Sequence, residues 1–345
     1  MTTALLTGFP GFIGRRLVTT LLSAHEDLEI VALVEPRMAA AARELTQDRL
    51  TIVEGDIALR GLGLPAAEWD RLAGSVTRVF HLAAIYDLAV PEELAQRVNV
   101  DGTGNVLEFC LACDGLERLA YISTAYVAGD RHGVVYEHEL ALGQGFKNHY
   151  ESTKFQAEVW VRERMDRIPT TILRPAIVVG DSRTGETEKF DGPYYLLRAI
   201  ARAEQFGRPA VQFGSSSAVF NVVPVDFVVA GIAAASFAEA ALGETLHLVD
   251  PEPLTTRELL TTLSLAYAGR APKGRVSPKL VEQGLRVKTM RELFGGTPRE
   301  SIAYLNHAVG FDTRRAVDIL SPLGLAPPRF TEYVDPMVAY FKANA

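Results

Sequence analysis

The chain has 345 residues, of which 48% are hydrophobic and 22% charged, so it can bury a large core as one large domain or two modest ones. Its net charge is −7 at pH 7 and no block of Lys or Arg occurs, which argues against nucleic acid or an anionic membrane surface as a partner. The most apolar run, residues 219–238, contains Asn221 and Asp226 and is too interrupted for a membrane span.

The first predicted element is a strand at residues 4–7, which is followed by a glycine-rich turn and a helix at 12–23. Gly8 lets the chain reverse, Gly11 lets a pyrophosphate approach the backbone, and Gly14 lets the helix pack closely on the strand. The free N–H groups and the positive end of the helix would face the anion. Because the turn joins a strand to a helix, we interpret it as a dinucleotide-phosphate site and not as a glycine-rich surface loop. The strand leaves no room for a signal peptide, so we expect a cytoplasmic protein.

Strand-like apolar runs alternate with helical patterns along most of the chain, which is typical of a parallel sheet covered by helices on both faces. The predicted strands are residues 4–7, 30–34, 50–53, 78–81, 119–123, 170–179, 220–224 and 245–249. The predicted helices are residues 12–23, 37–45, 92–113, 150–167 and 227–237. The pattern therefore predicts an α/β fold with a Rossmann-type, doubly wound parallel sheet.

A second part of the chain begins after Gly180, where a polar loop and the aromatic stretch 190–195 leave the sheet. From residue 251 onward the pattern is mainly helical, and its breakers are Pro272, Pro278 and Pro298. We predict two domains: an NAD(P)-binding domain from residues 1–180 plus about 219–249, and a smaller, mainly helical substrate-binding domain from about 181–218 plus 250–345.

The two cysteines, Cys110 and Cys113, form a CxxC pair that is found in redox proteins and in halves of zinc sites. The chain has no further cysteine to complete a zinc site, and the pair lies late in a helical pattern. We therefore predict two buried structural thiols and no metal site.

The ends of the second and third strands carry charges that bear on the choice of cofactor. Glu35 can accept both ribose hydroxyls and repel a 2′-phosphate, whereas Arg37 can contact that phosphate. Each can also be a solvated surface charge, so the choice between NAD and NADP stays open. Asp56, with Ile57 beside it, is placed to accept a hydrogen bond from an adenine amino group, and its alternative is a turn or helix cap.

Tyr150 and Lys154 provide the candidate catalytic pair, because in a helix they lie one turn apart on one face. A neighbouring ammonium favours the phenolate and would lower the tyrosine pKa toward working pH. The spacing alone is common on amphipathic helices and is weak evidence. The strand at 119–123 strengthens it, because parallel sheets bind ligands beyond such strand ends and Thr124 can hold a substrate carbonyl oxygen there.

A set of motifs extends over residues 3–180: Thr7-Gly8-x-x-Gly11-x-x-Gly14, Asp56-Ile57, His81-Leu82-Ala83-Ala84, Asn99-Val100-Asp101-Gly102-Thr103, Ser123-Thr124-Ala125, Tyr150-x-x-x-Lys154 and Arg174-Pro175. Together they resemble the extended short-chain dehydrogenase/reductase superfamily. Segments 123–126, 150–158, 180–185 and 223–226 resemble the branch that holds fatty acyl-CoA reductases and the thioester-reductase domains of peptide synthetases.

The resemblance implies roles for individual residues. It makes Thr124 the substrate-orienting hydroxyl, Tyr150 the acid/base, Lys154 a ribose ligand and pKa modifier, and Asn99 a structural support. Further cofactor contacts are implied at Phe12, Ile13, Ile57, Ala83 and Pro175.

The implied activity is NAD(P)H-dependent hydride transfer to a carbonyl, foremost that of an acyl thioester on coenzyme A or an acyl-carrier protein, giving an aldehyde. The sequence leaves open whether a second reduction to the alcohol follows. Alternatives are a sugar-nucleotide epimerase or dehydratase that retains NAD, a ketone or hydroxysteroid-type dehydrogenase, and a catalytically silent nucleotide sensor. The resembling branch usually has an arginine where this chain has Glu35, so its NADPH preference is in doubt here. The sequence leaves open whether the chain forms a homodimer.

Overall fold

The computed structural model describes residues 2–87, 89–212, 218–276 and 304–345. Its strands are, in chain order, β1 Thr2–Thr7, β2 Leu28–Val34, β3 Leu50–Glu54, β4 Arg78–His81, β5 Arg118–Ile122, β6 Gly133–Val135, β7 Thr170–Pro175, β8 Ile177–Val179, β9 Val222–Pro224, β10 Thr245–Leu248 and β11 Val309–Phe311. Its α-helices are α1 Phe12–Ala24, α2 Ala39–Glu44, α3 Ala66–Ala73, α4 Glu92–Ala95, α5 Gly102–Ala112, α6 His149–Arg162, α7 Tyr194–Gln205, α8 Val225–Phe237, α9 Thr256–Ala268, α10 Arg314–Leu320 and α11 Phe330–Asn344.

A parallel sheet of seven strands forms the centre of the fold, in the spatial order β10-β7-β5-β4-β1-β2-β3. The chain starts at β1, winds outward to β3, returns to β4 beside β1, and winds the other way to β10. Every residue of β5 and β7 is buried, as expected for strands covered on both faces. The predicted doubly wound sheet is confirmed, and its strand order reverses between β1 and β4, where such sheets bind ligands.

Two hydrophobic cores lie on the two faces of this sheet. On one face α1, α8 and α10 pack through residues such as Leu17, Ile232 and Ile319. On the other face α5 and α6 pack through Phe109 and Val161. Helix α10 therefore packs against the sheet, although its residues lie in the range predicted for the substrate-binding domain.

A third core lies away from the main sheet, where α7, α9 and α11 pack together. Its buried residues include Leu197, Leu260 and Met337, and Val222 of β9 and Tyr304 join it. The expectation of a mainly helical second part agrees with these elements. The predicted breakers Pro278 and Pro298 lie outside the described residues.

Two predictions for the end of the sheet were wrong. Residues 170–179 are not one strand, because β7 ends at Pro175, which has no backbone N–H to continue the ladder. The chain continues as β8, which pairs in parallel with β9 in a separate sheet of two strands. Consequently the predicted strand at 220–224 does not return to the main sheet, although the following helix α8 does pack against it.

The helix predicted at residues 92–113 is α4, a π-helical turn Gln96–Asp101 and α5 in direct succession. Helix α6 ends at Arg162, five residues before its predicted end, and tight turns follow as the chain approaches Pro169. The helix predicted at 37–45 begins as a 3₁₀ turn Pro36–Met38 and continues as α2.

Both cysteines are buried free thiols, as predicted. Burial raises the pKa of Cys110 well above its ordinary value and that of Cys113 to about 12. Neither is therefore a reactive thiolate at neutral pH.

None of the helices in the described part of the chain has the length and apolar character that crossing a bilayer requires. Within the same residues, no three His, Cys, Asp or Glu side chains gather in a way that could hold a metal ion.

Candidate active site

A cavity of about 890 Å³ lies at the carboxyl ends of β1, β4, β5 and β7. Its walls include the predicted site residues Gly8, Gly11, Phe12, Ile13, Gly14, Ala83, Thr124, Tyr150, Lys154 and Pro175. Beyond them the walls are rich in aromatic residues, among them Tyr86, Tyr126, Phe190, Tyr195, Phe220 and Tyr304. The glycine turn and the candidate catalytic residues therefore share one cavity, which continues into an aromatic region.

The glycine turn leaves no room for side chains. Gly8 has φ +93°, and a Cβ there would lie 2.9 Å from Cβ of Leu82 at the end of β4. A Cβ at Gly11 would lie 2.9 Å from the Gly8 carbonyl oxygen, and one at Gly14 only 2.5 Å from it. The close packing predicted for Gly14 is thus between the start of α1 and the turn itself.

The start of α1 fits a phosphate group. Gly11 is the N-cap residue, and among the described residues no side chain caps the helix and no acidic residue lies in its first turn. The first N–H groups of a helix have no partner within the helix, so they remain available to an anion at the cavity wall. We call Gly8, Gly11, Gly14 and the start of α1 the glycine cradle. The glycine cradle therefore suits the pyrophosphate of a dinucleotide.

A loop that closes one side of the cavity is attached to the same helix. Glu186 forms ion pairs with Arg15 at 3.2 Å and Arg16 at 3.1 Å, and Glu188 pairs with Arg15 at 3.1 Å. Residues 187–192 then line the cavity. These partly exposed ion pairs orient the loop, although each contributes little free energy.

A buried polar network supports the strand ends beneath the cavity. The Thr7 hydroxyl lies 2.8 Å from Nδ1 of His81 and accepts the Ala83 N–H at 3.1 Å. Nε2 of His81 lies 3.1 Å from the Thr103 hydroxyl, which donates to the Asn99 carbonyl oxygen at 2.6 Å. Burial, with Lys154 nearby, lowers the pKa of His81 to about 3, so this imidazole is neutral.

Asn99 lies in the π-helical turn and connects this network to the candidate catalytic helix. Its Oδ1 accepts the Ile85 N–H at 2.8 Å, and its Nδ2 donates to the Thr153 hydroxyl at 3.0 Å. Thr153 directly precedes Lys154 in α6. These are the contacts of a residue that holds the loop after β4 against α6.

Tyr150 and Thr124 meet at the floor of the cavity. Thr124 follows the end of β5, and its side chain lines the cavity together with that of Tyr150. Burial raises the pKa of Tyr150 to about 12, although the nearby Thr124 hydroxyl opposes the change. The ring of Tyr86 packs edge-on against Tyr150, with centroids 5.1 Å apart.

Lys154 lies one turn further along α6 and contacts a different phenol. Its Nζ donates to the Tyr121 hydroxyl at 3.1 Å and to the Ile122 carbonyl oxygen at 2.8 Å. The sequence predicted that Lys154 lowers the pKa of Tyr150, and this direction was wrong because burial dominates. Burial also lowers the pKa of Lys154 to about 8, against the effect of Glu158.

Glu158 anchors α6 to the strands behind the cavity. Its carboxylate accepts from Ser123 Oγ at 2.6 Å and forms a fully buried ion pair with Arg174 at 2.6 Å. Burial alone would raise the pKa of Glu158, but Arg174, Arg162 and the Ser123 hydroxyl together lower it to about 2. The strand end that precedes Thr124 is thereby fixed to the helix that carries Tyr150.

Four predicted cofactor residues do not line this cavity. Glu35 and Arg37 form an ion pair with each other at 2.6 Å, and the Arg37 side chain is 73% exposed. Asp56 accepts the Ala58 N–H at 2.8 Å, which is the turn role that the sequence left as its alternative. Ile57 is buried in the core beneath α5. Their contacts with a cofactor stay predictions.

Several residues of the site had no role in the sequence-based prediction. Tyr86 follows the strand-end motif at 81–84 closely. An aromatic residue in the loop after that motif was the sequence feature that could have indicated Tyr86 as a site residue. Tyr121 lies inside a buried strand and Tyr304 is about 150 residues away from α6, so neither spacing nor periodicity pointed to them. Glu158 lies one helical turn after Lys154, and the Tyr150, Lys154, Glu158 spacing marks one helix face.

A family profile described as Male sterility protein, an NAD-binding family, matches residues 6–232. The non-canonical nonribosomal peptide synthetase FrzA of a Cladobotryum species is 28% identical over 300 residues, covering 79% of this chain and 28% of that protein. Fatty acyl-CoA reductase wat of Drosophila melanogaster is 26% identical over 279 residues, covering 67% of this chain and 53% of that protein. The chain therefore spans at most about half the length of these two relatives.

Solved structures share the fold. The terminal R domain from the myxalamid PKS-NRPS biosynthetic pathway matches with TM-score 0.83 and 24% identity, over 99% of this chain and 90% of that one. UDP-glucuronic acid 4-epimerase from Bacillus cereus, in complex with NAD, matches with TM-score 0.69 and 19% identity, over 99% and 97%. At these identities the structures support the fold alone, whereas the family profile covers most of the sequence. The chain belongs to the NAD-binding family described as Male sterility protein.

Proposed function

We propose that the protein is an NAD(P)H-dependent reductase that transfers hydride to the carbonyl of an acyl thioester. The observation that carries the proposal is that the glycine cradle, Thr124, Tyr150 and Lys154 all line the same cavity. The similarity to a fatty acyl-CoA reductase and to a nonribosomal peptide synthetase supports a thioester substrate. The acyl carrier is coenzyme A or a carrier protein.

We assign cofactor binding to residues 1–180 plus about 219–249, and substrate binding to about 181–218 plus 250–345. Three observations support this division. The glycine turn follows a strand of the main sheet, and Phe190 and Tyr195 line the aromatic region of the cavity. Phe190 packs against the third core, and Tyr195 lies in α7, whose buried residues belong to that core. Helix α10 is an exception within this range, because it packs against the main sheet.

A bound NAD(P)H would be held by the glycine cradle and would supply the hydride that adds to the carbonyl carbon. In our proposal the Thr124 hydroxyl orients the carbonyl oxygen, and the Tyr150 phenol donates a proton to that oxygen as negative charge develops. With a pKa of about 12 the phenol is protonated at neutral pH and ready to donate. Lys154 supplies a positive charge behind it and a ribose contact.

The product of this first step is a hemithioacetal, because the carbonyl carbon has gained the hydride, its oxygen has gained the proton, and the C–S bond is still intact. Its collapse breaks the C–S bond, reforms the carbonyl as an aldehyde and releases the carrier as a thiol. A second hydride and proton would convert the aldehyde to an alcohol. Nucleophilic residues are not needed in this sequence of steps.

The experiment measures nicotinamide oxidation with a panel of acyl-CoA thioesters, aldehydes and nucleotide sugars, each with NADH and NADPH. Tyr150→Phe keeps the ring and removes the proton, so turnover should fall about 10²- to 10⁴-fold, the usual contribution of general acid catalysis. Dinucleotide binding should persist in this variant. Tyr136→Phe alters an exposed tyrosine and is the matched control.

Thr124→Val should mainly lower turnover, whereas Lys154→Met should lower both turnover and dinucleotide affinity. Near-parental turnover of Tyr150→Phe would show that Tyr150 is not the acid. Turnover of nucleotide sugars together with tightly held, copurifying NAD would favour an epimerase instead, the activity named for one of the structural neighbours.

A further inference from the structure

Tyr304 comes from the C-terminal part of the chain, yet its hydroxyl lies beside the start of α6. The residue is 8% exposed and lines the cavity. Its hydroxyl donates to Glu151 Oε1 at 2.7 Å and accepts from Asn148 Nδ2 at 2.8 Å. Both partners are more than 150 residues away in sequence, so the contact depends on the tertiary fold.

The two partners of Tyr304 define the turn that carries Tyr150. Asn148 is the N-cap of α6, and its Oδ1 accepts the Glu151 N–H at 3.0 Å. Glu151 is fully buried, and its carboxylate accepts the Lys147 N–H at 3.0 Å and lies 3.2 Å from Lys147 Nζ. Tyr150 lies between Asn148 and Glu151, so the direction of its side chain depends on this turn.

The ring of Tyr304 contacts the other candidate catalytic segment. It packs edge-on against Tyr126, with ring centroids 5.1 Å apart. The Tyr126 N–H in turn donates to the Thr124 hydroxyl at 3.3 Å. One side chain therefore touches the turn of Tyr150 through its hydroxyl and the turn of Thr124 through its ring.

We propose that Tyr304 is a positioning residue, which holds the turn of Tyr150 and the turn of Thr124 at the separation that lets both hydroxyls reach one carbonyl oxygen. The inference rests on the proposed reduction and assigns no proton transfer to Tyr304. It means that the C-terminal part contributes to the chemical step and not only to substrate binding.

Tyr304→Phe tests the inference, because it removes both hydrogen bonds and keeps the ring. We expect kcat to fall about 10- to 100-fold, the range for losing a hydrogen bond to a charged group that aligns reacting atoms. The dinucleotide Kd and KM should stay at parental values. Glu151 retains its two contacts with Lys147, so the variant should fold.

Tyr333→Phe is the matched control. Tyr333 is buried in the same third core, and its hydroxyl donates to the Val222 carbonyl oxygen at 3.2 Å. Neither Tyr333 nor Val222 lines the cavity. Both variants should lose similar thermal stability, and only Tyr304→Phe should lose turnover. Equal turnover in the two variants would overturn the inference, because the Tyr304 hydroxyl would then not align the reacting groups. A melting temperature of Tyr304→Phe far below that of Tyr333→Phe would also overturn it, because the hydroxyl would then serve stability instead.

A double variant tests whether Tyr304 acts through Glu151. In the Glu151→Gln background, Tyr304→Phe should lower kcat much less than it does in the parent protein. The reason is that the effects of two residues that act as a unit are not additive. Full additivity would contradict the inference. A parent protein that reduces no thioester would instead refute the proposed function, and that result is separate because it needs no variant.

Discussion

Replacing Glu158 by glutamine removes the carboxylate of the buried ion pair with Arg174 while keeping its size. In the folded protein the pKa of Glu158 falls from 4.5 to about 2. A pKa lower by about 2.5 corresponds to about 3 kcal/mol of folding free energy at pH 7. Breaking a buried pair costs about 3–5 kcal/mol by mutagenesis in other proteins, which agrees. We therefore expect the free energy of unfolding of Glu158→Gln to be about 3 kcal/mol lower than that of the parent.

The pH dependence has a definite sign. A carboxyl group whose pKa is lower in the folded state stabilises the fold above its ordinary value of 4.5, and this contribution is lost as the pH falls toward 2. The difference between parent and Glu158→Gln should therefore be constant from about pH 7 to 5.5 and shrink below about pH 4.5. Urea unfolding curves at about pH 7, 5.5, 4.5 and 3.5 measure it.

Glu204→Gln is the control for this experiment. Glu204 pairs with Arg270 at 2.6 Å, the same distance as the Glu158–Arg174 pair, but both of its side chains are about 40% exposed. Solvent should reduce its contribution to below about 1 kcal/mol. If Glu158→Gln costs no more than Glu204→Gln at pH 7, burial does not strengthen this ion pair and the reasoning is wrong.

Two further predictions concern the cofactor. Gly11→Ala should weaken dinucleotide binding, measured by titration, because its Cβ would lie 2.9 Å from the Gly8 carbonyl oxygen and would distort the turn that lines the cavity. Gly115→Ala, whose Cβ would have no neighbour closer than 4.0 Å, should bind as the parent does. Glu35→Gln should raise the use of NADPH relative to NADH, because it removes a carboxylate that repels a 2′-phosphate and releases Arg37 from its ion pair. An unchanged NADH-to-NADPH ratio of kcat/KM would show that Glu35 does not contact the ribose.

Local patterns predicted the parts of the fold that depend on local physics. The alternation of apolar strands with amphipathic helices predicted the parallel sheet, and the spacing of Gly8, Gly11 and Gly14 predicted the turn. The separate β8 and β9 pair was missed because a buried strand has the same composition in either sheet. Only the Pro175 position indicated the break, and a proline at the end of a strand is ordinary.

The site depended more on contacts between distant parts of the chain. The Tyr150 and Lys154 spacing predicted one helix face correctly, but the partner of Lys154 is Tyr121, which no local pattern indicates. Burial, which the sequence does not give residue by residue, determines the direction of the Tyr150 pKa. Tyr304 could be assigned to the site only once the tertiary structure of the chain was known.

The third core has a consequence for how this protein can change. It draws its residues from many separate stretches of the described chain, which contribute Leu197, Leu260 and Met337 among others. No single continuous segment therefore carries the aromatic side of the cavity. Replacing this side of the cavity with that of a relative would mean exchanging several chain segments at once. Small insertions in the loops that lead into the third core would instead leave the main sheet and its strand register unchanged.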